Sequence, residues 1–189
     1  MSCFLRFDPL HLSHAALQAH LQGLLDSRDW YAAPMPEGRR FWRIPTVYGT
    51  ELAPQLAQAA EAAGMSVEAA VTSLSEARVR VQALGFAPGQ PYLGALPEAW
   101  DIPRQSQLTE RVPEGALVVA IRQFVLFAVS APTGWQHVGQ TAATLFQPEA
   151  AQSILLRPGD EVQFFATDAE TLNNMRRDPR GGAESEPIR

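Results

Sequence analysis

The stretch Leu84-Gly85-Phe86-Ala87-Pro88-Gly89-Gln90-Pro91-Tyr92-Leu93-Gly94 constrains the fold of this 189-residue chain more than any other segment. Three glycines and two prolines within eleven residues exclude a helix and a central strand. Proline removes an N–H and holds φ near −65°, while glycine opens positive φ and lets other groups approach the main chain closely. Phe86 and Tyr92 add apolar bodies that can pin such a loop to a core or wall a pocket. Two readings stand on composition: an Ω-loop that seals the end of a barrel, or a binding surface on a rigid scaffold.

Around this loop the chain changes character at Arg78. Before it, Ser13 stands at an N-cap position ahead of Leu17, Leu21, Leu24 and Leu25, which predicts a helix ending near Asp26. Cys3–Phe7 reads as a short strand stopped by Asp8-Pro9, and Arg28–Arg40 as a connector. Phe41–Val47 reads as a strand crossed by Pro45. Glu51–Ala63 is alanine-rich and helical in propensity with Gly64 behind it, and Ser66 caps a second helix through Leu74. From Arg78 onward, Val79, Val81 and Ala83 alternate with Arg78, Arg80 and Gln82 as in a half-buried strand. Further strands are expected at Ala116–Ile121, Phe124–Ser130, Gln136–Val138, Thr144–Phe146 and Glu161–Thr167, the last led in by the turn Arg157-Pro158-Gly159-Asp160. Short strands with Gly/Pro punctuation point to a compact β-barrel rather than βαβ units. The polar tail from about Asn173 reads as disordered.

A net charge of −5, with no lysine anywhere, lacks the basic footprint of a nucleic-acid-binding protein. No run is long and apolar enough for a membrane span, and the opening residues lack the basic and apolar regions of a signal peptide. The single cysteine, Cys3, excludes an intrachain disulfide framework and fits a reducing compartment, so a cytoplasmic protein without membrane or nucleic-acid partners is expected.

Chemistry-bearing motifs are few. His11, His14 and His20 show no metal-ligand spacing, no metal is expected, and no Gly-x-Ser-x-Gly elbow or phosphate-binding Gly-Lys-Ser/Thr loop occurs. His137 follows Gly134-Trp135-Gln136 but lacks an orienting partner in the sequence. Arg104, after Ile102-Pro103, and Arg111, before Val112-Pro113, are cations on stiff segments that can clamp a carboxylate or phosphate. Trp135 can wall a pocket to which Gln136 and Gln140 offer neutral polar groups.

The ordered set Ile44-Pro45-Thr46-Val47-Tyr48-Gly49, Leu84–Leu96, Ile102-Pro103-Arg104, Arg111-Val112-Pro113-Glu114-Gly115, Thr133–Thr141 and Leu156–Val162 resembles the family of the 5-oxoprolinase B subunit. That family is also called allophanate hydrolase subunit 1, or the KipI-type carboxyltransferase domain. The resemblance implies an α+β fold: a small, partial N-terminal α/β-sandwich lobe followed by a cyclophilin-like β-barrel. In these terms residues 1–40 are a remnant of the first lobe with a linker, 41–168 the cyclophilin-like carboxyltransferase-type domain, and 169–189 a disordered tail.

It also implies one component of a heteromeric ATP-dependent amidohydrolase, a 5-oxoprolinase converting 5-oxoproline to glutamate or a related allophanate or urea-carboxyltransferase type. Such a component is active only with a homologue of the family's C-type subunit (allophanate hydrolase subunit 2-like). An A-type subunit joins the pair, and ATP enters through the assembled complex. The alternative is a non-catalytic regulator of the KipI kind that inhibits a histidine kinase. Pro88, Gly89, Gln90, Tyr92, Arg104, Gln123, Trp135 and Gln140 are the residues placed around substrate or ligand, and none is a nucleophile. The chain departs from the family pattern in four places. The family's opening strands are absent, which predicts a bare strand edge. Leu74 or a neighbour replaces a histidine, and Gln90 an aromatic. The run Ala120–Leu126 replaces Gly-Gly-Gln-Thr-Gly, of which Gln123 alone is kept.

Overall fold

The computed structural model describes residues 5–188. The chain divides into two compact units, residues 1–36 and 37–189. In the first, helix α1 (His14–Asp26) begins at Ser13, whose hydroxyl accepts from the Ala16 N–H at 3.2 Å. Residues 5–7 form no strand, and the start of the expected Cys3–Phe7 strand lies outside the described residues.

The second unit carries strands β1 (Arg40–Arg43) and β2 (Thr46–Tyr48), then helices α2 (Leu56–Ala62) and α3 (Val67–Glu76). Strands β3 (Arg78–Leu84), β4 (Pro91–Gly94), β5 (Thr109–Val112), β6 (Ala116–Ala120), β7 (Gln123–Leu126), β8 (Ala131–Thr133), β9 (Gln136–Thr141) and β10 (Glu161–Gln163) follow. Helix α4 (Ala169–Met175) and strand β11 (Glu184–Pro187) complete it. Among the described residues no helix is long and apolar enough to cross a membrane.

Nine strands form one sheet in the order β11-β1-β10-β3-β4-β7-β6-β9-β2, and β5 and β8 pair as a separate ribbon. Strands β1 and β2 are two residues apart in the chain yet sit near opposite ends of that order. The sheet must therefore curl back on itself. The Thr46 N–H donates to the Phe165 carbonyl at 2.9 Å, and a parallel bridge joins Thr46 to Ala166 across the seam. The result is a mixed α+β fold built on a curled sheet.

Strand alternation separates two cores. Leu117, Val119, Phe124 and Leu126 point into the principal core with Trp42, Val162 and Phe164, where Phe124 and Phe164 meet edge to face at 5.5 Å. Their neighbours Ala116, Val118, Ala120, Val125 and Phe127 pack on the other side with Val112, Ala131 and Trp135. Both faces of β6 and β7 are buried, so these strands read as continuous apolar runs.

Four expectations need correction. Thr144–Phe146 forms no strand, and Phe146 makes only an isolated antiparallel bridge to Ile154. Pro91–Gly94 is a strand, paired to β3 on one side and β7 on the other, although its glycine–proline composition argues against one. Pro91 is tolerated because it opens the strand. The expected helix Glu51–Ala63 starts only at Leu56, because residues 49–53 close a turn in which the Ala53 N–H bonds the Gly49 carbonyl. The polar tail is ordered as α4 and β11. Asp168 caps α4 by accepting from the Thr171 N–H and hydroxyl at 2.8 and 2.7 Å, and β11 pairs with the full length of β1. Composition misled because a strand added to an open edge gains main-chain hydrogen bonds without needing apolar side chains.

The β6–β7 hairpin turns through Ile121 and Arg122, both with positive φ (44° and 59°). A two-residue turn of this kind favours Asn-Gly or Gly-Gly, and a β-branched residue there is strained. The glycine pair of the resembled family falls on these two positions, since Gln123 is the residue kept. The surroundings hold the strained turn: the Ile121 and Arg122 N–H groups donate to the Ile102 and Trp100 carbonyls, and the Leu96 N–H donates to the Arg122 carbonyl. Ile121 is 46% exposed, so its removal forfeits little burial. Ile121→Asn should stabilise the chain by about 1 kcal/mol. An unchanged or lower urea midpoint would show the turn to be unstrained.

Candidate functional site

A cavity of about 240 Å³ opens beside the signature loop, walled by Gln90, Tyr92, Phe127, Trp135, Leu108 and Arg104 among others. Each wall has a local cause. Gln90 is buried, and its Oε1 accepts from the Ala128 N–H at 3.3 Å. Tyr92 projects from β4 and packs against the smaller core. Arg104 lies on the irregular segment before β5, which is stapled to the β8–β9 turn. There the Gln105 N–H donates to the Gly134 carbonyl at 2.7 Å, and its side-chain Nε2 to the Trp135 carbonyl at 2.9 Å. The close approach suits Gly134, since a Cβ there would lie 3.4 Å from the Gln105 carbonyl oxygen. This docking sets the Arg104 guanidinium 5.3 Å from the centre of the Trp135 ring. A cation held over an indole keeps its planar donor fork available for an anion.

The structure thus brings Gln90, Tyr92, Arg104 and Trp135 around one space. The other expected site residues lie elsewhere. Pro88 is exposed and does not line the cavity. Gly89 has φ +74° and turns its back on Leu145, where a Cβ would meet the carbonyl oxygen at 2.7 Å; its work is to shape the loop. Gln123 donates to Gln82 Oε1 at 2.8 Å outside the cavity. Gln140 lines a different cavity, with His137. Sequence reasoning passed over Phe127 and Leu108. Phe127, just past the end of β7, continues the alternation of that strand and packs in the smaller core with Val125.

An amide network that sequence did not reveal ties the two regions together. Gln55, just before α2, donates through Nε2 to Gln105 Oε1 at 2.9 Å and Thr109 Oγ1 at 3.1 Å, and its Oε1 accepts from the His137 N–H at 2.7 Å. Leu74, which itself or through a neighbour stands in place of the family's histidine, is fully buried in the principal core.

His137 is only 4% exposed. Burial holds its imidazole below the ordinary histidine range, while the Gly139 main chain and the Gln140 side chain pull the other way. With a folded pKa below the unfolded one, near 6.5, the unfolded chain binds the extra proton. Stability linked to His137 is therefore complete above about pH 6.5 and falls as pH drops towards the lowered value. Charged groups lining the same cavity are Glu51, Arg111, Glu114 and Arg176. Between about pH 7.5 and 5.5 the wild type should lose more denaturant stability than His137→Phe. Equal losses would mean that His137 does not drive the dependence. Among the described residues no group of three or more His, Cys, Asp or Glu is arranged to hold a metal ion.

Comparison with known proteins adds four findings. A 5-oxoprolinase B subunit from Escherichia coli O157:H7 is 42% identical over 129 residues, 68% of this chain and 59% of that protein. One from Bacillus subtilis (strain 168) is 36% identical over 126 residues, 67% of this chain and 52% of that protein. The chain thus spans between half and three-fifths of the length of these two relatives. The urea amidolyase of Kluyveromyces lactis superposes with a TM-score of 0.76 over 96% of this chain and 13% of that one, at 16% identity, a likeness of fold. Residues 1–156 match the carboxyltransferase domain, subdomain C and D, and the chain belongs to that family.

Proposed function

We propose that this chain is the substrate-binding barrel of a 5-oxoprolinase-type assembly, with a cyclophilin-like domain over residues 41–168 and residues 1–40 representing part of a first lobe. The observation that carries this reading is the pairing of Arg104 over Trp135 with the buried amide of Gln90 in one small cavity. 5-Oxoproline presents a carboxylate, a lactam and an apolar ring face, and these match a guanidinium fork, a side-chain amide and aromatic walls in turn. The lining holds no serine, cysteine, lysine or histidine, and its two hydroxyls, on Tyr92 and Thr133, have no base beside them in the lining. The hydrolytic groups and the ATP site therefore belong to a partner of the C type, with an A-type protein completing the complex. The chain's lack of lysine agrees with nucleotide being held elsewhere.

The test is reconstitution with homologues of the C-type and A-type partners and assay of ATP-dependent 5-oxoproline hydrolysis. Activity of the assembly and none of the chain alone is expected. Full activity of the chain alone would overturn the shared site. A regulatory reading of the KipI kind draws support from the same lack of a nucleophile and from exposed Phe86 and Leu108 at the cavity mouth. It predicts tight binding to a histidine kinase that Arg104→Met leaves untouched.

A further inference from the structure

We propose that a second cavity of about 370 Å³, floored by His137 and Gln140, binds a free α-amino acid as its zwitterion. It shares no lining residue with the Arg104 cavity. Its floor is polar and deeply buried, with His137 and Gln140 exposed by 4% and 3%. Its rim holds Glu51, Arg111, Glu114 and Arg176, all on the surface.

The floor lacks hydrogen-bond partners in a defined way. Gln140 Nε2 donates to the Glu114 and Thr141 carbonyls at 2.8 and 3.0 Å. Carbonyl oxygens can only accept, so the orientation of this amide is forced and Oε1 must be the free end. That oxygen has no partner, and neither does His137 Nε2. In the Nδ1-protonated tautomer of the neutral imidazole Nε2 is an acceptor, and an ammonium group selects that tautomer. It gives both Nε2 and Gln140 Oε1 the donor they lack.

The rim decides what else the ligand carries. Among the described residues the ion pairs are His11–Asp8, Arg39–Glu161 and Arg78–Glu161, and none involves a rim charge. Arg111 is oriented by donating from Nε to Ser130 Oγ at 2.6 Å. Two arginines suit a carboxylate, whereas Glu51 and Glu114 oppose an anion without a compensating cation. A balanced rim over an accepting floor selects a zwitterion over phosphate or a simple carboxylate.

The experiment titrates the folded chain with glycine, L-alanine, L-glutamine and L-glutamate, following the His137 imidazole by NMR. His11, His14 and His20 are all exposed, so the buried ring is distinguishable. At least one amino acid should shift the His137 signal saturably, and its N-acetyl derivative should bind at least about tenfold more weakly. Arg176→Met, on the exposed rim, and His137→Phe should each weaken binding by about tenfold or more, the former read by the same signal and the latter by calorimetry. Arg104→Met should leave it unchanged. The proposal is overturned if no amino acid perturbs His137, if the N-acetyl form binds equally well, or if Arg104→Met abolishes binding while Arg176→Met does not.

Discussion

Asp160→Ala should destabilise the second unit by about 4 kcal/mol and lower its melting temperature by on the order of 10 °C. Asp160 is 2% exposed. Its Oδ1 accepts from the Arg40 N–H at 2.9 Å, and its Oδ2 from the Arg157 N–H at 2.9 Å and the Trp42 indole at 3.1 Å. Removing the carboxylate takes the acceptor from three donors, one of them the buried indole of Trp42 in the principal core. The same side chain joins the turn before β10 to the start of β1, so its loss loosens the pairing of the two strands. Asp160→Asn keeps one accepting oxygen and should lose roughly half as much. Urea unfolding of both variants reads the effect directly. An alanine variant within about 1 kcal/mol of wild type would mean that water replaces the carboxylate, and the role assigned to it would be wrong.

Arg104→Met should cost the reconstituted 5-oxoprolinase-type assembly about a hundredfold in kcat/KM while leaving the fold intact. Losing a charge-assisted, bidentate contact to a carboxylate removes about 1.5–3 kcal/mol, and methionine retains the stem that packs along the surface. The carboxylate of 5-oxoproline is remote from the lactam bond that breaks, so the loss should appear mainly in KM. Arg104→Lys restores charge but not the planar fork and should recover only part of the activity. Because Arg104 is exposed, the melting temperature should stay within about 2 °C of wild type. Unchanged kinetics would remove the Trp135-side cavity from the substrate path.

What could be read from sequence was local. The alternation over Arg78–Val81, the caps at Ser13 and Ser66 and the turn at Arg157–Asp160 each depend on a few neighbouring residues, and the structure shows them. Ala83, expected on the buried face, is instead exposed because the register shifts between Val81 and Ala83. Ser66 Oγ accepts from Ala69 N–H as its spacing predicts. Gln90, Gln123 and Gln140 were indistinguishable in sequence because each amide's task is set by a distant partner: Ala128, Gln82 and Glu114. The strand β4 was hidden for the same reason. Its partners lie on both sides in space, and their pairing outweighs the weak strand propensity of Pro91 and Gly94. Gln55, the hub of the amide network, sits in a stretch whose alanines spoke only of a helix.

The parallel pairing of β1 with β10 sets a schedule for synthesis of the chain. Strands β3, β4, β6, β7 and β9 can pair early in synthesis, each having a partner that is already made or that follows soon after it. Strand β1 cannot: both its neighbours, β10 and β11, lie more than a hundred residues downstream. Until they emerge, Phe41 and Trp42 stay without their strand partners on the nascent chain, so the earliest strand of the sheet is among the last to be paired.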